Sequence, residues 1–208
     1  MEDVLEVYAR PVDPKRPLIC LDECTKQLTR EVRPFQQCRP GRPAREDCEY
    51  ERNGVATIFC VVAPLLGWRH IEERERKTRR DYAEVLRKLC DEQFADAERI
   101  VLVQDNLNTH SPASLYEAFP PEEAARIKAR FEFHFTPKHG SWMNIAEIEL
   151  SVLSRTCLRQ RIPDRSTLAK HLSAYQLRRN SSFKKIHWQF TSSDARKKLI
   201  KLYPSTLA

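Results

Sequence analysis

The stretch RIVLVQDN, residues 99–106, constrains the fold more than any other part of the sequence. It is a continuous run of aliphatic residues that ends in an acid, which is typical of a strand buried on both faces of a central sheet. Such a strand needs helices on both sides, and helical spacing is found before it at 78–94 and after it at 111–119 and 120–131. This alternation predicts an α/β protein with a mixed sheet.

Other segments add strands and one long helix to this plan. RPLICLDE (16–23) is a short apolar run, and residues 50–64 and 67–75 are the two arms of a hairpin with Gly67 near its turn. EFHFTP (132–137) alternates like a strand. SWMNIAEIELSVLSRTCLRQR (141–161) is the strongest helical pattern, with Ser141 as its expected N-cap.

Composition excludes several classes of protein. The longest apolar run, residues 58–68, contains Pro64 and Gly67 and is too short to cross a bilayer, and the acidic N-terminus lacks the apolar segment of a secretory signal. We therefore expect a cytoplasmic chain without a membrane partner. The chain has 4 glycines, and they form neither a phosphate loop nor a dinucleotide-binding fingerprint. The 7 scattered cysteines favour reduced thiols; Cys20 and Cys24 would make only half of a zinc site.

The net charge of +7 is unevenly distributed. Residues 151–208 contain 13 Lys and Arg against 2 Asp and Glu, whereas residues 1–150 contain 23 against 27. A basic C-terminal segment attracts polyanions such as DNA through phosphate neutralisation. A solvated basic helix would have the same composition, so charge alone leaves both interpretations open.

Acids follow or interrupt three of the predicted elements. Asp22 and Glu23 end the first apolar run, Asp105 ends the central strand, and Glu147 and Glu149 lie in the long helix. Ligands of open α/β sheets collect at the carboxyl ends of strands, and oxygen ligands from three elements can hold two Mg²⁺ ions for phosphoryl transfer. The alternative is that these acids cap turns and helices.

Three blocks of the sequence carry a resemblance to a known family. ICLDE (19–23), VLVQDNLNTH (101–110) and TPKHGSWMNIAEIELSVLSR (136–155) are similar to the catalytic domain of mariner-like bacterial insertion-sequence transposases, which belong to the DDE superfamily. The resemblance implies an RNase H-like fold, with a mixed five-stranded sheet, helices on both faces and a basic helical C-terminal segment. It also implies two-metal DNA cleavage at transposon ends and strand transfer into target DNA.

The resemblance also assigns the site. It places the catalytic and metal-binding acids on Asp22, Asp105 and Glu147, with two Mg²⁺ ions, or Mn²⁺ in their place. Periodicity does not distinguish Glu147 from Glu149; the family pattern of Asn followed three residues later by an acid, here Asn144 and Glu147, favours Glu147.

The chain departs from the family pattern in two respects. The 41 residues between Asp105 and Glu147 exceed the usual spacing, and the helical segment around 120–130 would absorb the difference. The resemblance also implies an N-terminal helix-turn-helix that reads transposon ends, which we do not expect within the few residues before the first block. We therefore expect a linker remnant at 1–15, the catalytic domain at 16–161 and a basic helical extension at 162–208, with a separate helix-turn-helix polypeptide and a second copy of the chain in a homodimer as further partners.

Basic residues near and after the long helix are the expected contacts to DNA phosphates. They are Lys138, His139, Arg155, Arg159, Arg161, Arg178, Arg179, Lys184 and Lys185. His110 and His139 are at most neighbours of metal ligands, and Trp142 is expected in the core or as a hydrophobic staple rather than as a platform for bases. Two alternatives to a transposase stay open: an RNase H-like nuclease that does not join strands, and a non-catalytic DNA-binding remnant that partners a full-length enzyme.

Overall fold

The computed structural model describes residues 1–33, 36–45, 48–138 and 140–203, and within these ranges five strands form one mixed sheet in the order β3-β2-β1-β4-β5. The strands are β1 (Leu18–Glu31), β2 (Tyr50–Ala63), β3 (Trp68–Arg74), β4 (Ile100–Gln104) and β5 (Phe131–Phe135). β2 is antiparallel to both β1 and β3, whereas β4 is parallel to β1 and to β5. The expected mixed sheet is confirmed.

Helices cover both faces of this sheet. They are α1 (Glu2–Tyr8), α2 (Arg79–Lys88), α3 (Ala113–Ala118), α4 (Pro121–Ala129), α5 (Ile145–Thr156), α6 (Arg165–Ser181) and α7 (Ser192–Lys198). Thr78 caps α2 in a capping box with Asp81, as expected, and a π-helical turn at Leu89–Gln93 extends that helix. Across the described ranges, each helix is too short or too polar to cross a bilayer. All seven cysteines are free.

Two hydrophobic cores lie on opposite faces of the sheet. Because side chains alternate along a strand, Cys20 faces the core made by α1, α5, α6 and α7, whereas Ile19 and Leu21 face the core made by α2, α3 and α4. All five residues of β4 are buried, which confirms its expected central position.

The turn between β2 and β3 depends on Gly67. This residue has φ = +67°, in the left-handed region that glycine adopts without strain. The segment after α6 crosses the same turn: a Cβ on Gly67 would lie 2.7 Å from the backbone carbonyl of Phe183, and the amide of Ile186 donates to the carbonyl of Pro64. Gly67 therefore allows both the turn and the close passage of the C-terminal segment.

Helix α5 begins three residues later than expected. The predicted N-cap, Ser141, instead opens a single 3₁₀ turn, and the cap is Asn144, whose side-chain oxygen accepts from the amide of Ala146 at 3.1 Å. The helix ends at Thr156 rather than near residue 161. Leu158 and Ile162 then pack into the core from a loop that Pro163 ends.

The terminal segments of the described ranges pack on the same sheet as the predicted catalytic domain, whose boundaries stay a prediction. The predicted linker remnant at 1–15 contains α1, whose Val4 and Val7 are fully buried against the sheet because its apolar residues lie on one face. The predicted extension at 162–208 contributes Leu168 and Leu172 of α6 to the same core. Residues 204–208 lie outside the described part.

An ion pair joins the two ends directly. The guanidinium of Arg196 in α7 donates twice to the carboxylate of Glu2 in α1, at 2.8 and 2.6 Å, and the hydroxyl of Tyr203 donates to the same carboxylate at 2.9 Å. The two terminal helices therefore lie side by side on the sheet.

A buried charge network ties α5 to β3 and α6. Glu149 is fully buried; it accepts from Nε of Arg69 at 3.1 Å, from two nitrogens of Arg179 at 2.8 Å each, and from the hydroxyl of Tyr175 at 2.7 Å. Nη1 and Nη2 of Arg69 are buried, and neither has a hydrogen-bond partner in the described ranges. Glu149 is thus the compensating charge for a buried arginine.

Replacing Glu149 with glutamine should lower the free energy of unfolding by about 3 kcal/mol at neutral pH, because a buried cation loses its partner. Burial raises the pKa of Glu149, but the hydrogen bonds from Arg179 and Tyr175 and the charges of Arg69 and Arg179 outweigh it and hold the pKa below its ordinary value of 4.5. The stabilisation is therefore present above pH 4.5 and is lost as the pH falls through the folded-state pKa. Denaturant unfolding of E149Q and wild type across this pH range measures the difference.

Glu147→Gln is the matched control, since Glu147 is half-exposed and lies two residues away on the same helix. Its free energy of unfolding should stay within about 0.5 kcal/mol of wild type. An E149Q protein as stable as E147Q would show that the buried network does not hold α5 in place.

Candidate active site

Two parallel strands place Asp22 and Asp105 at the same level of the sheet. Cys20 of β1 pairs with Val103 of β4, and each acid lies two residues further along its chain. β4 ends at Gln104, so from this level onward β2 is the one strand of the described ranges that pairs with β1. The sequence placed Asp22 at the end of its strand; this is wrong, because β1 continues to Glu31 as an arm paired with β2. Asp22 nevertheless borders the open edge that the end of β4 leaves.

The carboxylate of Asp22 is close to several other acidic side chains. Burial raises its pKa to about 7, and the charges of Asp105, Glu23 and Glu147 add to the rise, against a hydrogen bond from the amide of Glu23. Acids from β1, from the loop after β4 and from α5 therefore act on one group. This is the excess of negative charge that a bound cation would relieve.

His110 bridges two of these acids, Asp105 and Glu23. It is buried; its Nδ1 lies 2.5 Å from Oδ1 of Asp105 and its Nε2 lies 2.8 Å from Oε1 of Glu23. Both ring nitrogens must carry a proton to donate to two carboxylates, so the ring is an imidazolium. Burial alone would lower the pKa of His110, but the hydrogen bonds to Asp105 and Glu23 and the charges of both acids raise it to about 9.

The pKa of Asp105 depends on its burial and on three neighbouring residues. Burial raises its pKa, but the hydrogen bond and charge of His110, the amide of Leu107 at 3.1 Å and the charge of Lys77 hold it below its ordinary value. Asp105 is therefore the ionised member of the group, whereas Asp22 accepts a proton near neutral pH. The two acids differ because only Asp105 has a cationic partner.

Asn144 fastens the helix that carries the third acid. Its side-chain amide donates to the backbone carbonyl of Leu21 at 2.8 Å, while its side-chain oxygen caps α5. Leu21 directly precedes Asp22, so one buried side chain sets the position of α5 relative to the first acid. Tyr8 of α1 acts on the same turn: its hydroxyl donates to the carbonyl of Met143 at 2.7 Å.

Glu147 and Glu149 have opposite surroundings. Residues two positions apart on a helix are separated by about 200° of rotation, so Glu147 and Glu149 cannot face the same site. Glu147 is half-exposed, and its charge helps to raise the pKa of Asp22. Glu149 is instead paired with Arg69 and Arg179. The geometry thus supports the choice of Glu147 that the family pattern suggested.

The acids suit Mg²⁺ chemically but are not drawn into a closed cage. In the described part of the chain, no group of three or more His, Cys, Asp and Glu side chains is arranged to hold a metal ion. Mg²⁺ does not need such a cage, since it keeps several waters and binds through one or two carboxylates together with substrate phosphates. The donor set therefore fits an ion that substrate helps to bind.

The basic residues expected to hold DNA differ in their exposure. Lys138, Arg155, Arg159, Arg178, Lys184 and Lys185 are exposed. Arg161 is half-buried, with its guanidinium near the ring of Tyr50 and its Nη1 donating to the carbonyl of Glu49. Arg179 donates to the buried carboxylate of Glu149, a contact that the sequence did not predict, and its role in DNA binding stays a prediction. His139 lies outside the described residues.

Sequence reasoning missed three contributors. Glu23 was seen only as a neighbour of Asp22, and His110 only as a distant candidate, although their pairing across 87 residues builds the floor of the site. Tyr8 gave no signal at all. Trp142, expected in the core or as a staple, is instead 45% exposed.

Comparison with solved structures finds low sequence identity. A simian T-cell lymphotropic virus intasome in complex with PP2A regulatory subunit B56 gamma has a TM-score of 0.48 and 11% identity, over 78% of this chain and 49% of that chain. The Mos1 mariner paired-end complex with Mn has a TM-score of 0.33, 16% identity and coverages of 89% and 60%. The Mos1 strand transfer complex has a TM-score of 0.34, 13% identity and coverages of 88% and 59%.

These matches set the extent of the comparison. The chain spans between 49% and 60% of the three matched chains. No curated protein matches it. The profile of the DDE superfamily endonucleases matches residues 17–169, which include Asp22, Asp105 and Glu147 and make up well over half of the sequence. The chain belongs to the DDE superfamily endonuclease family.

Proposed function

We propose that this chain is the catalytic domain of a mariner-like transposase, which cleaves DNA at transposon ends and transfers the cut strand into target DNA. The observation that carries the proposal is the convergence of charge from Asp105, Glu147 and Glu23 on the carboxylate of Asp22. Membership of an endonuclease family supports phosphodiester chemistry at that site.

Asp22, Asp105 and Glu147 would hold two Mg²⁺ ions, with Mn²⁺ as a substitute. Bound there, the ions would activate water or a DNA 3′-hydroxyl and neutralise charge on the phosphate. The protein would supply the rest: His110 would hold the Asp105 carboxylate in one orientation, and Asn144, bonded to the carbonyl of Leu21, would direct Glu147 toward Asp22. Both are positioning residues in this proposal.

DNA phosphates would be held by the exposed basic residues at the end of the chain. Arg155, Arg159, Arg178, Lys184 and Lys185 are exposed, and the other members of the predicted set are Lys138, His139, Arg161 and Arg179. Such contacts orient a duplex without reading its sequence. A homodimer, a separate helix-turn-helix polypeptide that reads the ends and a cytoplasmic location stay predictions from the sequence.

Asp22→Asn, Asp105→Asn and Glu147→Gln should each lower the rate of Mg²⁺-dependent plasmid nicking about a thousandfold, equivalent to roughly 4 kcal/mol of transition-state stabilisation. Glu149→Gln, assayed at a temperature where it remains folded, should nick at a rate close to wild type, because its carboxylate faces away from the site. Gel separation of nicked and closed plasmid measures the rates, and joining of labelled oligonucleotide ends is followed in the same reactions.

The outcomes separate the alternatives. Nicking without joining would support a nuclease, and DNA binding without any nicking in Mg²⁺ or Mn²⁺ would support a non-catalytic remnant. Loss of nicking in folded E149Q but not in E147Q would reverse the assignment of the third acid.

Asn144→Ala and Asn144→Asp should both slow nicking, because each removes the amide that donates to Leu21. Aspartate is as good an N-cap as asparagine, so N144D removes the hydrogen bond to Leu21 but keeps the cap of α5. Asp164→Ala is the control: it removes the N-cap of α6 and should lower stability by about 1 kcal/mol while nicking persists. Nicking by N144D at the wild-type rate would show that only the cap matters.

His110→Gln should raise the Mg²⁺ concentration needed for half-maximal nicking by about 10–100-fold, as is typical when the residue that orients a metal ligand is lost. The matched control is His134→Gln: His134 also bridges two carboxylates, Asp3 at 2.8 Å and Glu132 at 2.9 Å, but away from the site. H134Q should lose stability without a change in Mg²⁺ dependence. Equal Mg²⁺ dependence of both variants would remove the positioning role of His110.

A further inference from the structure

An exposed tryptophan stands at the entrance to the catalytic helix. Trp142 lies in the 3₁₀ turn Ser141–Met143 that leads into α5, and 45% of its surface is exposed to solvent. Its neighbours Met143 and Asn144 are fully buried. The turn therefore holds its backbone rigidly while it presents an indole to solvent. A single exposed apolar residue is ordinary on a protein surface, so its surroundings decide its meaning.

Other aromatic rings support Trp142 from behind. The ring of Trp188 stacks against it with centroids 6.2 Å apart and an interplanar angle of 24°, and the ring of Phe190 meets it edge-on at 5.7 Å. Tyr8 supports Trp188 in turn, with centroids 5.2 Å apart. The indole is thus held in one orientation, which reduces the entropy lost when a flat ligand stacks on it.

Positive charge borders this aromatic surface. Nζ of Lys198 lies 5.9 Å from the centroid of the Phe190 ring. The last turn of α7 also contains Lys197, and residues 182–203 contain 6 Lys and Arg against 1 acid, although one of the six, Arg196, is paired with Glu2 of α1. An apolar protein surface has no need of these cations, whereas a nucleic acid offers flat bases and phosphates together.

The aromatic surface is also close to the acids. Trp142 precedes Glu147 by five residues, so their Cα atoms are at most about 18 Å apart even in a fully extended chain. Successive phosphates of one strand advance by about 3.4 Å along the axis of a duplex, and by more in an extended single strand. A base on Trp142 would therefore lie at most roughly five nucleotides from a phosphate held at the acids.

We propose that Trp142 is a stacking site for an unpaired nucleobase of the DNA strand that passes the catalytic acids, with the cations of α7 neutralising the adjacent phosphates. The inference rests on the proposed function for its substrate. Stacking accepts any base, because every base has an aromatic face, so the site adds affinity and position but no sequence preference. It holds a strand whose bases are already unpaired.

Binding of two probes tests the site without cleavage. One is a fluorescein-labelled 12-nucleotide oligothymidylate; the other has the same phosphates but abasic sugars throughout. In EDTA, fluorescence anisotropy of wild type should show roughly tenfold tighter binding of the probe with bases. Trp142→Ala should lose this preference while its affinity for the abasic probe and the salt dependence stay unchanged, and Trp142→Phe should retain most of it.

Tyr116→Ala is the matched control, because Tyr116 of α3 is 47% exposed and α3 packs on the opposite face of the sheet. Y116A should bind both probes like wild type. The proposal is overturned if W142A keeps the preference for bases, if it loses affinity for both probes equally, or if wild type shows no preference. It is also overturned if wild type dimerises with concentration in size-exclusion chromatography and W142A does not, since the indole would then be a protein interface.

The readouts also separate this site from the proposed function. A wild-type protein that prefers the probe with bases but never nicks plasmid retains the stacking site and loses the enzymatic proposal. A W142A protein that nicks normally and binds both probes like wild type would leave the enzymatic proposal intact and overturn the stacking site.

Discussion

The hydrogen bond from the side chain of Asn144 to the carbonyl of Leu21 is the interaction on which the site depends. It joins the N-cap of α5 to the first part of β1, one residue before Asp22. Both ends of the bond are buried, so an apolar replacement would leave a carbonyl without a partner. The spacing of Asn144 and Glu147 then follows from geometry: the cap fixes the helix, and Glu147 lies in its first turn.

The acids themselves oppose the folded state. Burial, together with the charges of Asp105, Glu23 and Glu147, raises the pKa of Asp22 to about 7, which means that the fold gains more stability from protonated than from ionised Asp22. His110 offsets part of this repulsion by bridging Asp105 and Glu23. Such local conflict is expected at functional sites, where the remaining structure supplies the stability. Here the opposite side of α5 does so, through Glu149.

The elements that sequence reasoning predicted well are those with local signals. The buried run of β4, the Thr78 cap of α2 and the turn at Gly67 each follow from residues that are neighbours in the chain. The course of β1 beyond Glu23 did not follow, because its alternating polar residues pair with β2 alone and lack the apolar run of a central strand.

For the candidate site, the sequence suggested the acids but not the contacts that position them. Ser141 and Asn144 are both acceptable N-caps, and the choice between them is made by the carbonyl of Leu21, 123 residues away. The contact between Tyr8 and Met143 spans 135 residues, and the pairing of Arg69 with Glu149 spans 80. No local pattern encodes such pairs; the resemblance to a family supplied what periodicity could not.

The contacts between the terminal helices have a consequence for folding. The turn before α5 is held by Tyr8, α1 is held by Arg196 through Glu2, and Tyr8 packs on Trp188. Contacts between residues so far apart in the sequence form late in folding. A folding intermediate that lacks them would therefore carry its acids without their final geometry.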